Sequence, residues 1–151
     1  MKQILFSLLF ILLLIVESYA GSIKISADKL IYEDSKKVSK FIGNVVANYD
    51  NVTVNADNMT VFLSEKNEPS KILCIGNVKV EKDDIVSYSN SAEMDMLKDL
   101  IILKGNVKIW QNKNYLEGDE VYIYNKTKRV EVKNNDNKKV KIIFYPDEKG
   151  K

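Results

Sequence analysis

The sequence predicts an all-β fold, and three observations carry that prediction. Apolar and polar residues alternate with a period of two throughout the chain beyond residue 20. A glycine phrase recurs: Gly43-Asn44-Val45, Gly76-Asn77-Val78 and Gly105-Asn106-Val107, at spacings of 33 and 29 residues. Beyond residue 20 no window carries helical periodicity.

The first segment is of another kind. Ile4 to Val16 is a thirteen-residue apolar run broken only by Ser7, preceded by Lys2 and followed by Glu17-Ser18-Tyr19-Ala20. That layout predicts a signal peptide over residues 1–20, cut after Ala20. Such a run spans about 20 Å as a helix, short of the ~30 Å hydrocarbon core. An uncleaved anchor is the rival reading. The remainder divides into one domain, 21–146, and a polar tail, 147–151.

Strands then follow in order. Ile23, Ile25 and Ala27 alternate with polar neighbours, and Leu30 and Tyr32 continue on the opposite parity. Val45 and Ala47 alternate with Val46 and Asn48, and Val52, Val54 and Ala56 flank Thr53 and Asn55. Met59, Val61 and Leu63 resume with the parity changed. Val78 and Val80, Ala92, Met94 and Met96, Val107 and Ile109, and Leu116 and Gly118 repeat the pattern, the last giving way to Val121 and Ile123. One apolar and one polar face mark half-buried antiparallel strands.

The parity changes sit at a second recurring phrase, a small residue followed by an acid: Ala27-Asp28, Ala56-Asp57 and Gly118-Asp119. An inserted residue turns side chains over unless the strand bulges, so a bulge or corner is expected at this phrase. Ser91-Ala92-Glu93 resembles the phrase but shows no slip. The recurring Asp28, Asp57, Glu93 and Asp119 therefore read as bend residues, not as a catalytic pair, which needs two unlike carboxylates in one cleft. The Gly-Asn dipeptides read as turns.

Composition narrows the function. The chain has 151 residues, no histidine and one cysteine. Triads built on histidine, Cys/His zinc sites and internal disulfides are excluded. Cys74, in Ile72-Leu73-Cys74-Ile75, reads as a buried hydrophobe. Residues 126–151 carry nine basic against four acidic residues, whereas 21–125 carry thirteen against sixteen. The basic end suits a solvated tail, phosphorylated lipid or an acidic partner. One arginine and no aromatic platform speak against nucleic acid.

The phrases in sequence resemble the LptA/OstA-like family of lipopolysaccharide-transport proteins. The resemblance rests on Ile23-Lys24-Ile25-Ser26-Ala27-Asp28-Lys29-Leu30, Phe41-Ile42-Gly43-Asn44-Val45-Val46, Val54-Asn55-Ala56-Asp57 and Leu103-Lys104-Gly105-Asn106-Val107. It continues through Leu116-Glu117-Gly118-Asp119-Glu120-Val121 and Lys138 to Pro146. It implies an open, twisted β-jelly roll, a V-shaped pair of antiparallel sheets whose interior holds the acyl chains of lipopolysaccharide. It implies a periplasmic protein that binds no cofactor or metal and performs no reaction. Its partners would be the jelly-roll domains of inner- and outer-membrane transport proteins and further copies of itself, stacked head to tail.

Shielding is physically needed, because a 14-carbon chain costs about 10 kcal/mol in water at ~0.8 kcal/mol per methylene. The expected lipid-facing wall is Ile23, Ile25, Val45, Val54, Met94, Met96, Val107, Ile109 and Leu116. Each of these also suits ordinary core packing. The last strand, Val140 to Tyr145, is the expected oligomer edge through Val140, Ile142 and Phe144, with the strand around Ile23 as its complement. An LptC-like anchored component and a structural β-solenoid that binds no lipid are the alternatives.

Overall fold

The computed structural model describes residues 23–49, 51–124 and 126–146; the expected signal peptide and polar tail lie outside the described residues. Ten strands are present: β1 (Ile23–Ser26), β2 (Lys29–Glu33), β3 (Val38–Tyr49), β4 (Val52–Leu63), β5 (Pro69–Lys82), β6 (Ile85–Asp95), β7 (Leu100–Gln111), β8 (Asn114–Tyr124), β9 (Arg129–Lys133) and β10 (Lys141–Ile143). No helix occurs among the described residues. All ten form one antiparallel sheet, ordered β1-β3-β4-β5-β6-β7-β8-β10, with β2 also pairing β3 and β9 also pairing β8. The expected pair of sheets is thus one continuous sheet with a bend across it. This antiparallel meander also disposes of the solenoid reading, in which each repeat would be a coil.

The bend corrects the reading of the repeat. Register shifts fall between Ile42 and Val45 on β3, Ile75 and Val78 on β5, and Lys104 and Val107 on β7. The extra residue therefore lies in the Gly-Asn phrase, in mid-strand, and the phrase is a bulge, not a hairpin turn. Gly43, Gly76 and Gly105 have φ of 83°, 86° and 85°, and the asparagines after them 48°, 47° and 48°. Glycine and asparagine tolerate this left-handed region best, which is why they recur there.

The small-acid phrases face these bulges from the neighbouring strands. Two residues between Phe41-Ile42 and Val45 leave β3 its parity. The partner β4 has one residue fewer to cover the distance and switches parity instead: Ala56 and Met59 are both buried, while Asp57 and Asn58 point outward. In β6 the switch comes at Asn90. Ser87 and Ser89 are buried on one parity, and Ala92 packs on the core with the other. The expectation of no slip near Ala92 fails because the true counterpart of the acid is Asn90. Glu93 lies on the outer face, 3.2 Å from Lys71.

Real turns are built differently. Asp83 and Asn112 take positive φ at the tips of the β5–β6 and β7–β8 hairpins. Amide bonds tie adjacent tips together: Asn51 donates to Asp83 at 2.5 Å and Asn112 to Asp84 at 3.0 Å. The last strand is shorter than expected, because only Lys141–Ile143 pairs with β8, through Glu117, Leu116 and Tyr115.

Candidate functional site

Side chains directly opposite one another in antiparallel strands share a face, so each register defines a rung across the sheet. On one side of the bend a rung runs Ile25, Ala47, Val54, Val80, Ser87, Ile109, Leu116 and Ile142. On the other side two rungs do the same. The first is Leu30, Phe41, Met59, Cys74, Ala92, Leu103, Val121 and Val132. The second is Tyr32, Ser39, Val61, Ile72, Met94, Ile101, Ile123 and Val130. Apart from Ser87, Ser39 and the Tyr32 hydroxyl, all three are apolar. The inner face is therefore greasy from edge to edge on both arms.

Along the bend itself lies the most buried line. Val45, Ala56, Val78, Ser89 and Val107 are all buried, Val45 to 1% and Val107 to 0% exposure. Nine buried residues of β3, β4 and β5, drawn from both sides of the bend, make one core cluster, with Ile25, Tyr32, Val54, Ile72 and Val80 packed on it. A second cluster holds only Leu103, Val107 and Val121, with Ile101, Ile109, Leu116, Ile123 and Val132 partly buried around it. Cys74 belongs to the first, and burial pushes its thiol up to about 11. Two shallow concavities of about 220 and 200 Å³, lined with asparagines and carboxylates, follow the bend.

The nine expected wall positions are placed as follows. Val45 and Val107 lie on the bend. Ile25, Val54, Ile109 and Leu116 are half-buried on the inner face of one arm, and Met94 on that of the other. Met96 is half-buried just past β6, where its N–H donates to the Ser70 carbonyl at 3.0 Å. Ile23 pairs with Tyr49 through its backbone, and its side chain lies outside the described residues.

The expected wall left out Ile72, Val80, Ile101 and Ile123, which share these rungs. The signal for Ile72, Val80 and Ile101 was the kept parity of the odd-numbered strands, and for Ile123 the parity switch on β8. Ile101, Leu103, Val107 and Ile109 are all odd across the β7 bulge.

Of the edge residues, Val140 precedes β10 and is exposed, Ile142 is 48% exposed at the end of its rung, and Phe144 is 74% exposed beyond the strand. Trp110 lies on the outer face opposite Val86 and Tyr115, its ring 4.2 Å from the Tyr115 ring.

Residues 24–141 match the family model described as "LptA/(LptD N-terminal domain) LPS transport protein". The chain belongs to this family. It is thus a lipopolysaccharide-transport component of the LptA type, and the LptC-like reading is not favoured. Among solved structures, LptH of Pseudomonas aeruginosa matches with a TM-score of 0.69 at 14% identity, over 82% of this chain and 95% of that chain. LptH is described as the LptA homologous periplasmic component of the conserved lipopolysaccharide transport device. At that identity the likeness speaks for the fold, an open antiparallel sheet of the LptA jelly-roll kind. Comparison with curated proteins yields no match.

Proposed function

We propose that this LptA-family chain acts in the periplasm as a bridge. It shields the acyl chains of lipopolysaccharide against the inner face of its bent sheet and joins inner- and outer-membrane transport proteins. The observation that carries this is the incomplete burial of continuous apolar rungs. Ile25, Val54, Met94, Ile109 and Leu116 all keep accessible surface on a face that carries few polar side chains. Apolar surface left wet costs about 25 cal/mol per Å², and an acyl chain laid along it removes that cost from both partners. Val45 and Val107 form the floor at the bend. Met96 extends the wall outward, and the flexible thioethers of Met94 and Met96 suit irregular chains.

The function needs no reacting group and no cofactor, which agrees with a chain lacking histidine. Assembly would use the edges. β10 pairs with β8 on one side, and no described strand covers its other side. Ile142 and Phe144 stand exposed there, with Val140 before them. Addition of the β1 edge of another jelly roll would satisfy the open backbone and cover these side chains.

The test places a benzophenone at Ile25 or Met94, with a control at Lys108, which is exposed on the outer face between Tyr88 and Glu117. Adducts with lipopolysaccharide at the inner sites but not at Lys108 are expected. A folded chain that gives no inner-face adduct would sink the lipid-shielding reading.

A further inference from the structure

The inner face is lowest in its middle. Next to the bend, β6 presents the small side chains Ser87, Ser89 and Ala92. Opposite them β5 carries Val80, Val78 and Cys74. On its other side β7 carries Ile109 opposite Ser87 and Leu103 opposite Ala92, with Val107 on the bend between them. Small residues between two lines of larger ones make a trough, and it runs along β6 across the bend. The core divides at the same place. One buried cluster is built on β3, β4 and β5 and the other on β7 and β8; among the described residues only Ala92 packs against both. Ala92 is half-buried, so the trough is reached from outside.

A second observation does not depend on size. Ser89 is 6% exposed, and its Oγ has no hydrogen-bond partner among the described residues. Its neighbours on the inner face are apolar: Val78 opposite it, and Val45, Ala56 and Val107 along the bend. A buried hydroxyl left unpaired weakens a fold, whereas an alanine of nearly the same size would not. Such a group marks a place where a partner from outside the chain fits.

The surroundings set the chemistry of that partner. Along the trough, Ser89 has the half-buried Val80 and Ile109 on one arm and Ile72, Met94 and Ile101 on the other. A polar group that meets it must therefore carry hydrocarbon on both sides. Resting on the shielding function proposed above, we infer that an acyl chain of the lipid lies in the trough along β6. A hydroxyl borne on that chain, away from its ends, hydrogen-bonds to Ser89 Oγ, which can both donate and accept. Both edges of the sheet stay open in this arrangement, with Leu30 at 51% and Ile142 at 48% exposure. The bond gives the face a preference for hydroxylated chains that apolar rungs cannot supply.

The test sets capture against stability in Ser89→Ala. Tetradecanoate, and hydroxytetradecanoates bearing the hydroxyl at different inner carbons, compete with lipopolysaccharide for capture by the purified chain. The parent should favour the best hydroxylated competitor roughly fivefold over the plain one, as one net hydrogen bond allows. Ser89→Ala should lose that preference while its melting temperature holds or rises. Ser39→Ala, which removes a buried inward hydroxyl on β3, should keep the preference. A fall in the melting temperature of Ser89→Ala would mean that the hydroxyl is already bonded within the fold, to protein or water, and would overturn the inference. So would a parent that captures lipopolysaccharide without preferring either competitor, or a preference that survives in Ser89→Ala; both leave lipid shielding intact. A parent chain that captures no lipopolysaccharide would remove the shielding function and this inference with it.

Discussion

Asn77 donates a hydrogen bond of 2.9 Å to Asp57 across the bare Cα of Gly76. Asn44 repeats it with Asp28 at 2.9 Å across Gly43, where a Cβ would stand 2.5 Å from the Asp28 carboxylate. At Gly105 the amide of Asn90 takes the place of the carboxylate, and at the far edge Asp119 accepts from the Asn135 N–H at 2.7 Å. A polar side chain thus lies over each of the three bulge glycines, and each of these positions needs a residue with no side chain of its own.

Gly76→Ala should therefore be strongly destabilising. The left-handed φ of 86° costs about 1–3 kcal/mol for a residue with a Cβ, and the new methyl also overlaps the Asp57 carboxylate. Asp57→Ala in the same chain should recover the part of the overlap due to the carboxylate, since the Cβ at residue 57 stays, and none of the backbone part. Urea unfolding of the two single variants and the double variant measures this coupling. Additive losses would mean that the carboxylate does not rest on the glycine.

Buried floor and half-buried wall should separate stability from binding. Val107→Ala removes two methyl groups at a site with 0% exposure and should cost about 2 kcal/mol. Met94→Ala, at a half-buried site, should cost less stability but lower lipopolysaccharide capture. The reverse ranking in paired denaturation and capture assays would contradict the proposed wall.

Stability should fall at alkaline pH through Cys74. Its thiol is raised from an ordinary 9.0 to about 11 by burial. Below pH 9 both folded and unfolded thiols are protonated, and the contribution is fully present. Between 9 and 11 only the unfolded chain releases its proton, so folding loses on the order of 3 kcal/mol. Cys74→Ala should flatten the drop across that window, read from unfolding midpoints at each pH. Native chains should also resist thiol reagents at neutral pH, because the thiolate is the reacting form.

Trp110 offers a way to tell lipid from partner. It is the sole tryptophan, 41% exposed on the outer face and packed on Tyr115, which pairs with Ile143 of β10. Lipid bound at the inner face should leave its emission nearly unchanged, whereas strand addition at β10 should shift it to the blue. A large shift on adding lipopolysaccharide alone would place the lipid on the wrong face.

Much of this molecule was legible from local pattern. The all-β class, the antiparallel strands, the repeat and the burial of Cys74 all follow from a two-residue period, which depends only on the geometry of one strand. So did Val45, Val107, Ile109 and Leu116 as inward positions. The meaning of Gly-Asn was not legible. The dipeptide serves hairpin turns and bulges equally well, and only the neighbouring strand shows which residue is extra. For the same reason Asn90 was missed: its role is defined by Gly105 on β7, fifteen residues away.

The sequence by itself determined most of the inward positions, since alternation within a strand is a property of the chain alone. It could not determine how deeply each one is buried. Val61 and Ile123 are alike in their local pattern and lie on one rung, yet the first is sealed at 0% exposure and the second keeps open surface. That difference comes from the order of the strands and the line of bulges across them. These set how much of the inner face is filled by side chains and how much is left for a ligand.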